Sequence, residues 1–397
     1  MSTPSPSPTP PSDRLREALA WLDSECASAE RLLETMVRQN SYTRNREGVS
    51  AVVDRLVPEL RAIGLAVETI PSAHYGPHVA FAGPAAGAPI VLVGHTDTVF
   101  PPGTFEGWKR DGDRVRGPGT FDMKGGIAVM LLALRAARRA GLLDRVAVRG
   151  VLVSDEEVGS PESQPILRER AAGAAAALVF ESGRERDLIV TRRKGVASVR
   201  VDAHGVAAHA GNAHAQGRNA IWALARFVDK AQGLTDYPRG LTVNVGTVEG
   251  GTTKNTVPAH ARCDVDLRFE AVADGRALGD QLRAAATEAA VPGTRVEVSP
   301  LAWRDPLERT EASAALAVEY GACQVESGLG AGEAPRVGGG SDACTTGAMG
   351  IPSIDGLGPR GRGYHTYDEE IDIGSLGPKA AALLRFLARR ADLQPSP

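Results

Sequence analysis

Apolar residues recur three and four positions apart along the first part of the chain. Leu15, Leu19 and Leu22, then Leu32, Leu33 and Met36, predict a helix over Asp13–Gln39 with Asp13 as its cap. A second helix is predicted over Arg46–Ile63, stopped by Gly64. The period then changes. Leu65–Ile70, His78–Ala82 and Ile90–Gly94 read as strands, the last an unbroken apolar run of the kind buried on both faces. A long apolar helix follows from Met123 to Ala140, then a strand over Val146–Ser154, a helix over Ser163–Ala171 and a strand over Ala176–Phe180. Strands alternating with helices predict an α/β fold, a mostly parallel sheet with flanking helices.

Near Arg192 the rhythm breaks. Val196–Ala203 and Leu241–Gly250 alternate as strands around a helix over Asn219–Ala231, and a strand over Ala261–Phe269, a helix over Gly279–Ala290 and a strand over Arg295–Pro300 follow. This β-α-β-β-α-β order predicts an inserted α+β sandwich over residues 194–303. The first rhythm resumes with a helix from Asp305 to Tyr320, a strand over Pro352–Asp355 and a closing helix over Gly377–Arg390. The expected division is therefore a disordered tail over 1–12, one domain over 13–193 and 304–397, and the insert over 194–303; Gln394–Pro397 is expected to fray.

Composition narrows the function classes. The 397 residues are 43% hydrophobic and 23% charged, an ordinary globular balance over a length that favours two domains. A net charge of −3 argues against a nucleic-acid partner, and no apolar run is long enough to span a membrane. The Pro/Ser/Thr-rich start lacks the basic and apolar regions of a signal peptide. Four scattered cysteines form no CxxC, which fits a reducing compartment; the cytoplasm is the expected location.

Chemistry-bearing residues collect where predicted strands end. The run to Gly94 leads into His95-Thr96-Asp97, the strand to Ser154 into Asp155-Glu156-Glu157, and the strand to Phe180 into Glu181-Ser182-Gly183. Gly117–Gly126 places Asp122 at the mouth of the long helix, and a glycine-rich loop over 356–363 ends in Tyr364-His365-Thr366. Sites of parallel sheets lie beyond the carboxyl ends of their strands. Each residue alone has an ordinary explanation, a helix cap for Asp122 or a hydrogen-bonded structural histidine for His95. Together, His95, Asp122, Glu157, Glu181 and His365 supply the imidazoles and carboxylates that a pair of divalent ions about 3.5–4 Å apart requires, with one carboxylate bridging. A serine hydrolase is disfavoured because no G-x-S-x-G is present, and Gly338-Gly339-Gly340 is followed by no Lys-Ser/Thr of a phosphate loop.

These segments resemble the motifs of the two-zinc hydrolases that include glutamate carboxypeptidases, aminoacylases and succinyl-diaminopimelate desuccinylases. Ala208-His209-Ala210-Gly211, Arg336–Asp342 and Gly363–Thr366 extend the match over about residues 13 to 390, nearest the glutamate carboxypeptidase branch. The resemblance implies that Asp122 bridges two zinc ions, with His95 and Glu181 completing one and Glu157 and His365 the other; cobalt or manganese are alternatives. It implies Glu156 as general base, Asp97 as the residue that orients His95, and His209 as an oxyanion donor reaching the partner subunit of a homodimer built through the insert. Ala208 departs from the family's usual serine. Asn255 and Arg268 match family positions near the substrate's carboxylate or the oxyanion; Arg336 is a further candidate carboxylate clamp by its guanidinium fork, and Gly338 and Gly339 either present backbone N–H groups to that carboxylate or form a plain loop. The implied reaction is metal-dependent hydrolysis of an amide in a small peptide or N-acyl amino acid, releasing a C-terminal amino acid. A deacylase of N-acyl amino acids is the alternative, and a non-catalytic dimeric scaffold of the same fold a remote one.

Overall fold

The computed structural model describes residues 11–393. They form two compact units, one running up to Thr191 with Arg309–Pro335 and the residues from Ser341 onward, the other comprising Arg192–Glu308 with Arg336–Gly340. The short stretch 336–340, assigned from sequence to the first domain, thus clusters with the second unit. Most of the expected tail, and the frayed end, lie outside the described residues.

Helix α1 spans Pro11–Val37. It starts earlier than expected because proline is tolerated in a first helical turn, where its missing N–H has no partner to lose. Asp13 therefore lies inside the first turn, where its charge suits the helix dipole, and does not cap it. Ala18, Leu22, Ala29, Leu33 and Met36 form its buried stripe. Helix α2 (Arg46–Ala62) is capped by Asn45, whose side chain accepts the Gly48 N–H at 3.1 Å. Strands β1 (Ala66–Ile70), β2 (His78–Ala82) and β3 (Ile90–His95) follow, and every residue of β3 is buried. A short hairpin, β4 (Lys109–Asp111) and β5 (Arg114–Arg116), precedes an irregular turn over 120–124, helix α3 (Gly125–Arg139), strand β6 (Val148–Val153), helix α4 (Ser163–Ala171) and strand β7 (Ala176–Val179).

The second unit opens with β8 (Gly195–His204) and the two-residue β9 (Ala208–His209), then helix α5 (Ala220–Gln232), whose cap Asn219 accepts the Trp222 N–H. Strands β10 (Thr242–Gly250), β11 (Thr256–Val257) and β12 (His260–Phe269), helix α6 (Val272–Ala289) and strand β13 (Arg295–Arg304) complete it. The sheet runs β10-β12-β8-β13, antiparallel throughout, and strict alternation of burial along β8 and β12 leaves one face for the core. Val201, Ala203, Cys263 and Val265 meet Leu224, Phe227, Leu278 and Leu282 of the helices there. Helix α6 begins seven residues before its expected start at Gly279. The Asp274-Gly275 pair reads as a turn, but a Cβ at position 275 would come within 2.7 Å of the Phe269 ring, so glycine serves close packing there.

The chain then returns to the first unit. Helix α7 spans Glu311–Glu326, later than expected, because the Thr310 hydroxyl and Ser313 form a reciprocal capping box. Helix α8 (Asp342–Ala348), capped by Ser341, was not foreseen. Strands β14 (Ser353–Ile354), β15 (Gly361–Arg362) and β16 (Glu370–Asp372) and helix α9 (Leu376–Leu393) end the described chain. The main sheet is ordered β1-β2-β6-β3-β7-β14, and its β6–β3, β3–β7 and β7–β14 pairs are parallel. A small antiparallel sheet, β15-β16-β5-β4, stands apart. Its charged strands of two or three residues carry no readable alternation. No described helix is long and apolar enough to cross a membrane.

Candidate metal centre

Three parallel neighbours, β6, β3 and β7, end on the same side of the main sheet and deliver Glu156 and Glu157, His95, and Glu181 respectively. The irregular turn before α3 brings Asp122 to the same place, with backbone angles (φ −123°, ψ 93°) that no helix allows. His365 comes from the turn after β15 and itself adopts a positive φ of 61°.

The six side chains converge. His95 is 1% exposed, and its Nε2 lies 3.2 Å from Asp122 Oδ1 and 3.6 Å from Glu181 Oε1. His365 Nε2 lies 3.0 Å from Glu157 Oε2 and 3.5 Å from the other Asp122 oxygen, Oδ2. Asp122 thus turns one oxygen toward each histidine. Ligand atoms of His95, Glu156 and Glu181 fall within 4.8 Å of one another, as do those of His95, Asp122 and Glu157.

The electrostatics describe a site short of positive charge. Burial, then the Asp122 charge, pushes Glu157 up to about 8, and burial raises Glu181 well above the carboxylate range. Burial would also raise Asp122, but hydrogen bonds from His365 and His95 hold it far below its ordinary value. Hydrogen bonds to Asp122 and Glu157 carry His365 up to about 11. Burial opposes charge on His95, yet Glu181, Asp122 and Asp97 together raise it well above an ordinary imidazole. Glu157 Oε1 is buried with no hydrogen-bond partner. An orphaned carboxylate oxygen among imidazoles and carboxylates fits divalent cations, and the borderline donor set suits zinc. All four cysteines are free and none belongs to the cluster.

Buried hydrogen bonds fix these residues in place. The His95 Nδ1 lies 3.0 Å from the Asp97 carbonyl oxygen and 3.4 Å from its Oδ1, which sets the tautomer. The Asp97 carboxylate also accepts the Thr43 hydroxyl at 2.8 Å and the N–H groups of Glu156 and Glu157 at 3.3 and 3.2 Å. Asp97 therefore orients the histidine and the paired glutamates together, the second task unforeseen from sequence. Two more residues were missed. Lys124 is fully buried and donates to the carbonyls of Met36 and Gln39 at 3.0 and 3.1 Å, while burial pushes it down to about 7. Glu369 is fully buried against the Asp122 turn. It sits in Tyr367-Asp368-Glu369-Glu370, a run that reads as solvent-facing charge.

The remaining candidates belong to the second unit. His209 and Asn255 come together on one ladder: β9 pairs with β11, His209 opposite Thr256, and the Ala210 N–H donates to the Asn255 carbonyl at 2.9 Å. His209 is exposed, and its Nδ1 accepts the N–H groups of Gly211 and Asn212, both at 3.1 Å. Its Nε2 therefore carries the proton. Asp266 takes the Nε and Nη2 edge of the Arg268 guanidinium at 2.8 and 3.0 Å. Arg336 is paired with Glu270. A Cβ at Gly338 or Gly339 would meet nothing within 4 Å, so packing does not require glycine at either position.

Known proteins extend the comparison. Residues 191–294 match a family model described as a peptidase dimerisation domain. Carboxypeptidase G2 of Pseudomonas sp. (strain RS-16) is 31% identical over 353 residues, covering 87% of this chain and 85% of that protein. The chain belongs to the M20 peptidase superfamily. Solved M20-like structures share its architecture at lower identity. A tripeptidase from Staphylococcus aureus superimposes with a TM-score of 0.76 at 21% identity, covering 92% of this chain and 98% of its own. A Bacillus subtilis protein described as a dinuclear metal binding peptidase of the M20 family gives a TM-score of 0.71 at 15% identity, over 94% and 100% of the two chains. The M20 fold thus accounts for both units, a mixed α/β catalytic domain and an inserted dimerisation-domain region.

Proposed function

We propose that this chain is a two-zinc amidohydrolase of the carboxypeptidase type, which cleaves an acyl–amino acid or short peptide and releases the C-terminal amino acid. The observation that carries the reading is the division of Asp122, one oxygen toward His95 and the other toward His365. Glu181 would complete the set around His95, and Glu157 the set around His365. The ions would polarise the scissile carbonyl and lower the pKa of the attacking water. Glu156, in reach of the His95–Glu181 group, takes a proton from that water and delivers it to the amine nitrogen as the C–N bond breaks. His209, its Nδ1 saturated by its own loop, keeps an Nε2–H to donate to the carbonyl oxygen as negative charge develops there. The match to a dimerisation domain supports a homodimer in which a second copy supplies this donor. The likeness to carboxypeptidase G2 favours a carboxypeptidase, and the resemblance of the motifs to the glutamate carboxypeptidase branch favours glutamate as the released residue.

Chelated and zinc-restored protein, offered acyl-glutamates, dipeptides and N-acetyl amino acids, tests this directly. Zinc-dependent release of glutamate is the expected result. Release of a different amino acid would move the protein to another branch, and no release from a zinc-loaded protein would remove the substrate reading.

A further inference from the structure

We infer that Glu369 is the positioning residue for Asp122, and that through Asp122 it sets the metal affinity of the centre. The inference rests on the proposed roles of Asp122 and His365 as ligands.

Within the stretch from Gly117 to Lys124, the Thr120 and Lys124 N–H groups bond to the Gly117 and Gly119 carbonyls, but those of Gly119, Phe121 and Asp122 turn elsewhere. Gly119 is left-handed at φ 77°, and Asp122 and Met123 have non-helical angles, so the ladder that would normally occupy these N–H groups is broken. Glu369 supplies the acceptors. Its Oε2 takes the Gly119 N–H at 3.1 Å, and its Oε1 takes those of Phe121 and Asp122 at 2.8 and 2.9 Å. The Glu369 main chain adds a fourth tie, its carbonyl accepting the Gly117 N–H at 3.2 Å. The carboxylate is buried from solvent. A group in that position is retained against the cost of burial only where its hydrogen bonds are well made.

The same residue closes the turn that adjoins the one presenting the opposite histidine. The Thr366 N–H donates to the Gly363 carbonyl at 3.0 Å and closes the turn that contains His365, and the Glu369 N–H donates to the Thr366 carbonyl at 3.2 Å and closes the turn directly after it. One residue thus holds both segments whose side chains meet at Asp122 Oδ2 and His365 Nε2. Rotation of the Asp122 turn would withdraw an oxygen from one histidine or the other. Groups behind metal ligands typically change metal affinity about 10- to 100-fold when removed.

The full chain carrying E369Q, E369D or E369L tests this, read by zinc titration, the visible absorption of the cobalt-loaded protein and a thermal melt. Gln keeps one oxygen for the Phe121 and Asp122 N–H groups and loses only the acceptor for Gly119. Asp keeps the carboxyl group but withdraws it by one methylene. Leu removes every acceptor. The expected order of zinc affinity is wild type, Gln, Asp, Leu, with Leu about 10- to 100-fold weaker and its cobalt spectrum changed. If Leu does not fold, the comparison of Gln with Asp decides alone. An Asp variant that matches wild type while Gln is weakened would show that the carboxyl group and not its reach matters, and would overturn the positioning role. So would wild-type zinc affinity and cobalt spectra in all three variants. A wild-type protein that binds no zinc would defeat the proposed function first and this inference with it; a zinc-binding wild type with indifferent variants would defeat this inference alone.

Discussion

The residues around Asp122 and those around His209 are candidates for one reaction, but the two regions are built in opposite ways. His95, Asp122 and Glu181 are held by buried polar contacts, and even their supports, Asp97 and Glu369, are buried. His209 and Asn255 sit on a ladder of two residues per strand, exposed at His209, whose ring is held only by its own loop. Carboxylates gathered out of water repel one another more strongly, so their geometry has to be held by a framework of hydrogen bonds and opposite charge. A single neutral donor needs no such framework. The difference separates a cluster whose geometry is pre-formed within the first unit from an exposed histidine that its own loop alone orients.

Substitutions can break that contrast. Glu156→Gln should lower turnover by about 10²–10⁴-fold with zinc content unchanged, measured by steady-state rates and metal analysis. Retained turnover would remove Glu156 as proton carrier. His209→Ala should cost about 10²–10³-fold in kcat and leave zinc binding intact, because its support is local. Mixed with the Glu156→Gln protein it should regain part of the lost rate if the donor comes from a second copy; an unimproved mixture places the donor in the same chain or nowhere. Asp97→Ala should weaken zinc binding about 10- to 100-fold, the reverse of the His209 pattern. Arg268→Ala should change KM by less than about fivefold, since Asp266 already takes the Nε and Nη2 edge of its guanidinium.

The smallest effect concerns pH. Burial alone would raise Asp187, but the Arg360 fork, then Lys379 and the Gly330 N–H, lower it below its ordinary value. A depressed carboxyl stabilises the fold above its unfolded pKa of about 3.9 and loses that contribution as pH falls through the lower folded value. Melting temperature should therefore fall as pH drops below about 4, less steeply in Asp187→Asn, while Asp264→Asn, at an exposed pair in the second unit, should leave the slope nearly unchanged.

The residues of the cluster were legible because each follows an apolar run or a glycine turn that announces where the chain stops being core. Asp122 and His365 could be singled out in this way, and β3 and β7 ended within a residue of their expected limits. The supports were not legible. Glu369 bonds to N–H groups 247 to 250 positions away, and nothing in its neighbours distinguishes a buried carboxyl group from a solvated one. Lys124 stood inside the most conspicuous motif of the chain without any sign of its target. The pairing of Arg268 with Asp266, two residues away on the same strand face, was likewise not read from the sequence.

Lys124 also ties the turn to the far end of the fold. Its ammonium occupies the carbonyls of Met36 and Gln39, where helix α1 ends and where a helix otherwise leaves acceptors to water. The last turn of α1 and the first residues of α3 therefore share one anchor. In hydrogen-exchange terms they belong to a single opening unit, so an ion bound at Asp122 would slow exchange of amides near Val37, at the end of a helix that supplies no ligand.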